Sequence, residues 1–239
     1  MLRLFAALLF VVSAFAHAAP VVQTDLPLRY LEAAHAEDAG KPLVILMHGY
    51  GGSEENFYGI QQLLPDGYTY LMLRAPLTVR QGAYQWFNQK RGDPAYDGVT
   101  DDLRTSTETL ARFIAQATDK YRSSPRQVVL IGFSQGAMMS FETGLRHPEL
   151  VRAIAPLSGR LLPVLKSQLK DDPRLKGLAV FIGHGKADTV VPYRVAPEAR
   201  DTLQALGVPV RFHSYEGLGH AISREEVADL KQWLLGLGL

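Results

Sequence analysis

Gly132-Phe133-Ser134-Gln135-Gly136, entered from Val128-Val129-Leu130-Ile131 and left through Ala137-Met138-Met139, is the stretch that decides how this chain is read. The residues before it are a short, β-branched apolar run, the pattern of a strand buried on both faces, and those after it read as helix. Ser134 is thereby predicted to sit on a strand-to-helix turn. A turn that sharp requires glycine two positions to either side, because side chains there would collide with the neighbouring strand and helix. The serine takes an unfavourable backbone conformation at a cost of roughly 1–3 kcal/mol. Its hydroxyl then projects clear of the backbone above a helix N-terminus, where negative charge is favoured.

Working outward, 239 residues at 47% hydrophobic and 21% charged suit one globular domain with a substantial core. The 25 basic and 24 acidic residues nearly balance, so there is no electrostatic case for nucleic acid or an anionic surface as partner. Residues 1–18 have the layout of a secretory signal: a positive start at Met1-Leu2-Arg3, an apolar run from Leu4 to Phe15, and a small-x-small cleavage site at Ala16-His17-Ala18. The apolar run is too short to span a bilayer comfortably, so no stable membrane anchor is expected. With no cysteine, the chain has no disulfide and no thiol for lipid attachment. Residues 19–239 are expected to form a single domain exported to the periplasm or the medium.

Strand and helix patterns alternate along that domain. Leu43–Met47 reads as a buried strand ending at His48-Gly49-Tyr50-Gly51-Gly52, a loop where backbone must approach something closely. Ser53 can cap the helix after it, and Tyr70–Leu73 is the next strand. Residues 77–100 show no period but carry Tyr84, Trp86, Phe87 and Tyr96; long aromatic loops are usually functional, and Trp86 and Phe87 are expected to wall an acyl pocket. Thr100 should cap a helix with Leu103, Leu110, Ile114, Ala117 and Tyr121 on its apolar face. After the Ser134 helix come strands at 151–157, 178–182 and 208–214, a helix at 194–206, and a last helix opened by a Ser223/Glu226 capping box. This order implies an α/β fold, a mainly parallel sheet with helices on both faces, in which ligands bind beyond the carboxyl ends of the strands.

Every chemically distinctive residue falls at such an end. A serine hydroxyl needs a base to take its proton, and histidine is suited to that at neutral pH. His220 follows the last strand, is flanked by Gly219, and can reach back towards Ser134. Asp188, in the loop after the preceding strand, supplies the carboxylate that fixes the imidazole tautomer. The order Ser134, Asp188, His220 is that of the α/β-hydrolase arrangement. His48 and His184 also sit in glycine-flanked loops and are assigned supporting places. Ser158 lacks the glycine spacing of a nucleophile and reads as structural or site-lining. Backbone N–H groups of Gln135 and Tyr50 are the expected donors to a developing oxyanion. No histidine pair has the helical spacing of a zinc hydrolase, and the chemistry requires neither metal nor cofactor.

Together, Leu46-Met47-His48-Gly49-Tyr50-Gly51-Gly52, Gly132-Phe133-Ser134-Gln135-Gly136, His184-Gly185-Lys186-Ala187-Asp188-Thr189-Val190-Val191-Pro192 and Gly219-His220 resemble the phospholipase/carboxylesterase family of α/β hydrolases. That family includes acyl-protein thioesterases and small bacterial carboxylesterases. Trp86-Phe87 stands where the family has a tryptophan-phenylalanine pair, whereas Ala137 and Asn88 replace the glycine and aspartate often found there. The resemblance implies hydrolysis of short- to medium-chain acyl esters, small-molecule substrates, through an acyl-enzyme. Lysophospholipase or thioesterase activity and peroxide-dependent chemistry use the same triad. A non-catalytic binding module of this fold is the alternative from another class.

Overall fold

The computed structural model describes residues 21–33, 39–89 and 101–239. The signal-like segment 1–18, Tyr96 and the Thr100 cap lie outside the described residues. The elements, in order, are β1 (Val22–Gln23), β2 (Tyr30–Ala33), β3 (Leu43–Met47), α1 (Tyr58–Gln61), β4 (Thr69–Leu73), β5 (Leu77–Arg80), β6 (Ala83–Gln85) and α2 (Asp101–Lys120). They continue with β7 (Val128–Phe133), α3 (Gln135–Arg146), β8 (Ala153–Leu157), α4 (Pro163–Gln168), β9 (Ala179–Gly185), α5 (Val195–Ala205), β10 (Val210–Tyr215) and α6 (Arg224–Gly236).

Eight strands form one sheet in the order β1-β2-β4-β3-β7-β8-β9-β10. From β4 to β10 the neighbours run parallel, as the alternating pattern implies, while β1 and β2 add an antiparallel edge. The fold is that of an α/β hydrolase. Two-sided burial explains the unpunctuated apolar runs. In β3, Leu43, Ile45 and Met47 face one core with Leu110, Phe113 and Ile114 of α2, while Val44 and Leu46 face a second core with Phe57 and with Val227, Leu230 and Leu234 of α6. β7 divides in the same way, Val128 and Leu130 to the first core and Val129 and Ile131 to the second. Both central strands are therefore fixed in register by packing on each side.

Two pieces differ from the sequence expectation. The stretch before Gly40 contains β1 and β2, which carry Tyr30 into the core although they span only two and four residues. The stretch after Pro76 begins with the β5–β6 hairpin, whose first strand is largely exposed and whose register is interrupted between Thr78 and Arg80. Elements this short carry too few residues to show a period.

The capping box at α6 is half formed. Ser223 Oγ accepts the Glu226 N–H at 3.0 Å, but the Glu226 carboxyl turns inward. It is fully buried, lies where a side chain on Gly183 of β9 would stand, and neither oxygen has a hydrogen-bond partner among the described residues. Burial pushes its pKa up to about 8, with the nearby Asp229 charge adding to the rise. The folded chain therefore holds a proton there that the unfolded chain releases near the ordinary glutamate value. Its stability is full below about pH 4.5 and declines as pH rises towards about 8. Glu226→Gln should match the parent protein at pH 5 in urea denaturation and exceed it by on the order of 2–4 kcal/mol at pH 8. Parallel stability–pH curves would contradict a buried neutral acid at this position.

Candidate active site

The site is assembled from loops at the carboxyl ends of β3, β7, β9 and β10. At the end of β7, Ser134 has φ 54° and ψ −114°, a conformation that a non-glycine residue adopts only under constraint. The glycines on either side show where the constraint comes from. A Cβ on Gly132 would fall 2.1 Å from the Gly136 carbonyl oxygen, and one on Gly136 would fall 2.2 Å from the Met47 carbonyl oxygen. The first contact is the crossing of strand and helix within the turn; the second packs the start of α3 against β3. The Ser134 N–H donates to the Leu157 carbonyl at 2.9 Å, which ties the turn to β8.

Three predicted side chains converge. His220 Nε2 lies 2.9 Å from Ser134 Oγ, and its Nδ1 lies 2.7 Å from Asp188 Oδ2. A carboxylate only accepts, so Nδ1 carries the proton and Nε2 presents a lone pair to the serine hydroxyl. Asp188 is itself held: its Oδ1 accepts the N–H groups of Val190 and Val191, both at 2.9 Å, leaving Oδ2 for the imidazole. The Phe133 ring packs against His220, centroids 4.8 Å apart.

The two supporting histidines are buried, and burial holds both below the usual histidine pKa. His48 uses both ring nitrogens on backbone: Nδ1 donates to the Gly49 carbonyl at 2.7 Å and Nε2 accepts the Ala75 N–H at 3.1 Å. It thereby fixes the start of the glycine-rich loop. His184 Nε2 donates to the Val191 carbonyl at 2.9 Å, behind the loop that carries Asp188. Ser158 is fully buried with φ 48° and donates its N–H to Gly183, which makes it a structural residue.

Tyr50 and Gln135 both line the cleft that contains Ser134, and the backbone N–H of neither has an acceptor among the described residues. The Gly49–Gly52 loop that carries Tyr50 is held by the hairpin: Gly51 N–H donates to the Tyr84 carbonyl and Tyr84 N–H to the Gly52 carbonyl, each at 2.8 Å. Arg74 braces the same region, pairing with buried Glu54 and lying over the Tyr84 ring.

Trp86 and Phe87 do not wall the cleft. Both rings are fully buried in the first core, and the cleft is bordered instead by Met138, Gln89, Arg160 and Val190 to Pro192. The indole Nε1–H donates to the His48 carbonyl at 2.9 Å, so Trp86 supports the glycine-rich loop from beneath. The Gln135 side chain joins the same framework. Its Oε1 accepts the Trp86 N–H and its Nε2 donates to the Phe87 carbonyl, both at 2.7 Å. Sequence reasoning assigned Gln135 a backbone role alone; the signal for its side chain was an amide, rather than a small residue, directly after Ser134.

A sequence model of the phospholipase/carboxylesterase family matches residues 28–236. The chain belongs to that family. Acyl-protein thioesterase 1 of Debaryomyces hansenii is 31% identical over 219 residues, covering 84% of this chain and 93% of its own length. Among solved structures, esterase PE8 superposes with a TM-score of 0.76 at 28% identity, covering 86% of this chain and 97% of that one. A carboxylesterase from Mesorhizobium loti shares the fold at 24% identity and a TM-score of 0.75, covering 91% and 99%. This family member is accordingly a serine hydrolase. Among the described residues no group of three or more histidine, aspartate or glutamate side chains is placed to hold a metal, and no helix is long and apolar enough to cross a membrane.

Asp188→Asn tests the orientation of the imidazole. An asparagine can keep the two bonds from Val190 and Val191 through its oxygen, but it then turns its NH2 towards His220 Nδ1. The ring must place its proton on Nε2, where it no longer accepts from Ser134. Turnover of an ester should fall about 10³–10⁴-fold with an unchanged circular-dichroism spectrum and little change in melting temperature. An activity within tenfold of the parent would show that Asp188 does not set the tautomer.

Proposed function

We propose that this protein is a serine carboxylesterase that hydrolyses short- to medium-chain acyl esters through an acyl-enzyme, with Ser134, His220 and Asp188 as its triad. The observation that carries the proposal is the unbroken chain of hydrogen bonds from Ser134 Oγ through the His220 ring to a carboxylate anchored by two amides. His220 Nε2 takes the hydroxyl proton as Ser134 attacks the ester carbonyl. The N–H groups of Tyr50 and Gln135 receive the oxyanion; a donor in such a place is worth about 3–4 kcal/mol of transition-state stabilisation. His220 then returns the proton to the departing alcohol, and the same base activates a water for deacylation.

Acyl thioesters are the second reading, favoured by the names of the curated relatives. The triad and its donors serve either bond. We also propose export, with cleavage after Ala18 leaving residues 19–239 as one domain; the positive, apolar and small-x-small layout of residues 1–18 supports this.

The test is stopped-flow hydrolysis of p-nitrophenyl acetate, butyrate and octanoate alongside matched thioesters. A burst of one p-nitrophenol per active site, faster turnover of the esters than of the matched thioesters, and a loss of about 10⁴–10⁶-fold in Ser134→Ala support the ester reading. Parental turnover in Ser134→Ala contradicts the mechanism, and a preference for thioesters across the series favours the second reading.

A further inference from the structure

Two hollows meet at His220. One, of about 480 Å³, contains Ser134, Gln135 and Met138. The other, of about 420 Å³, lies between the glycine-rich loop with the helical turn after it and the segment just past His220. They have Gly49, Tyr50, Phe133 and His220 in common, so the packed Phe133 and His220 rings stand at their shared edge. The second hollow contains neither Ser134 nor Gln135. Its remaining walls are Phe57, Ile60, Ala221 and Ile222 with His48, Asn56 and the loop glycines, and no aspartate, glutamate, lysine or arginine lines it among the described residues.

The chemistry of the proposed reaction divides these spaces. As the Ser134 Oγ–carbon bond forms, the oxyanion turns to Tyr50 and Gln135, the acyl substituent stays on the carbon bound to the serine, and the alkoxy oxygen must face His220 Nε2. The carbon–oxygen bond to the alcohol then breaks, and the proton that left Ser134 passes from Nε2 to that oxygen. The group carried by that oxygen lies over the imidazole and continues past it.

We infer that the hollow between Ile60 and Ile222 is the alcohol subsite, built for an uncharged aryl or branched alkyl leaving group, while the acyl group occupies the hollow that holds Ser134. This rests on the esterase reading above. Its volume is in the range of small-ligand pockets, and its aliphatic and aromatic walls supply contact area without a charge to satisfy. A group bound there is present during acylation and gone before deacylation. Changes to this hollow must therefore alter discrimination among alcohols and leave the hydrolysis of a given acyl-enzyme untouched.

The experiment compares the parent protein with Ile222→Trp and with Ala221→Leu, the latter at an exposed position outside the core. Two substrate series are used: methyl and 1-naphthyl butyrate, which differ only in the alcohol, and p-nitrophenyl acetate and octanoate, which differ only in the acyl group. Filling the hollow should lower kcat/KM for the naphthyl ester relative to the methyl ester by about tenfold or more, the scale at which pocket shape discriminates apolar groups. The octanoate-to-acetate ratio and the single-turnover deacylation rate of the butyryl-enzyme should stay within twofold. A shift in the acyl ratio with the alcohol ratio unchanged assigns the hollow to the acyl chain and overturns the inference. Unchanged ratios in both variants overturn it as well. Failure of the underlying reading is separately visible, because the parent protein would then cleave neither series.

Discussion

The structure depends on one close approach of backbone to backbone. Where β7 gives way to α3, the chain reverses so tightly that residues 132 and 136 have no room for a side chain, and the residue between them is held at a positive φ. Such a conformation costs about 1–3 kcal/mol and persists only when its surroundings leave no alternative. Those surroundings are heavily packed: β3 and β8 on either side of β7, both fully buried, and α3 packed along almost its whole length. The cores on the two faces of the sheet hold the turn, and the turn presents the Ser134 hydroxyl.

Around it, three loops are stiffened by backbone hydrogen bonds from buried polar side chains. Asp188 is fixed by amides of its own loop, His48 spans from Gly49 to Ala75, and Gln135 grips the backbone of residues 86 and 87. Each of these satisfies buried polar groups while setting the position of an atom at the site, so stability and placement have a common origin. Glu226 differs from these three. Its carboxyl is buried without a partner among the described residues, close behind β9, and it remains neutral because charging it there would be costly.

Much of this was legible before any coordinates. The buried strands announced themselves because two-sided burial demands uninterrupted apolar residues, and the meeting of Ser134 and Asp188 with His220 was readable because each lies just past the carboxyl end of a strand, although β10, before His220, is mixed in sequence and only partly buried. Short elements were not: β1, β2 and the β5–β6 hairpin contain two to four residues each. The placing of Trp86 and Phe87 failed for a different reason. An aromatic pair in an irregular stretch looks the same in sequence whether its rings face a cleft or the core; here the indole N–H finds the His48 carbonyl inside, and the wall falls to residues such as Met138 and Val190. The side-chain role of Gln135 was hidden because its partners are main-chain atoms 48 and 49 positions away.

The account stands on Ser134 being the one activated hydroxyl at this site. The direct measurement is a crystal structure, with peptide mapping, of the protein inactivated by diisopropyl fluorophosphate. The account predicts a single phosphoryl group on Ser134 Oγ, its free oxygen within hydrogen-bond distance of the Tyr50 and Gln135 N–H groups. A label on another serine, or a phosphoryl oxygen turned away from both amides, would contradict it.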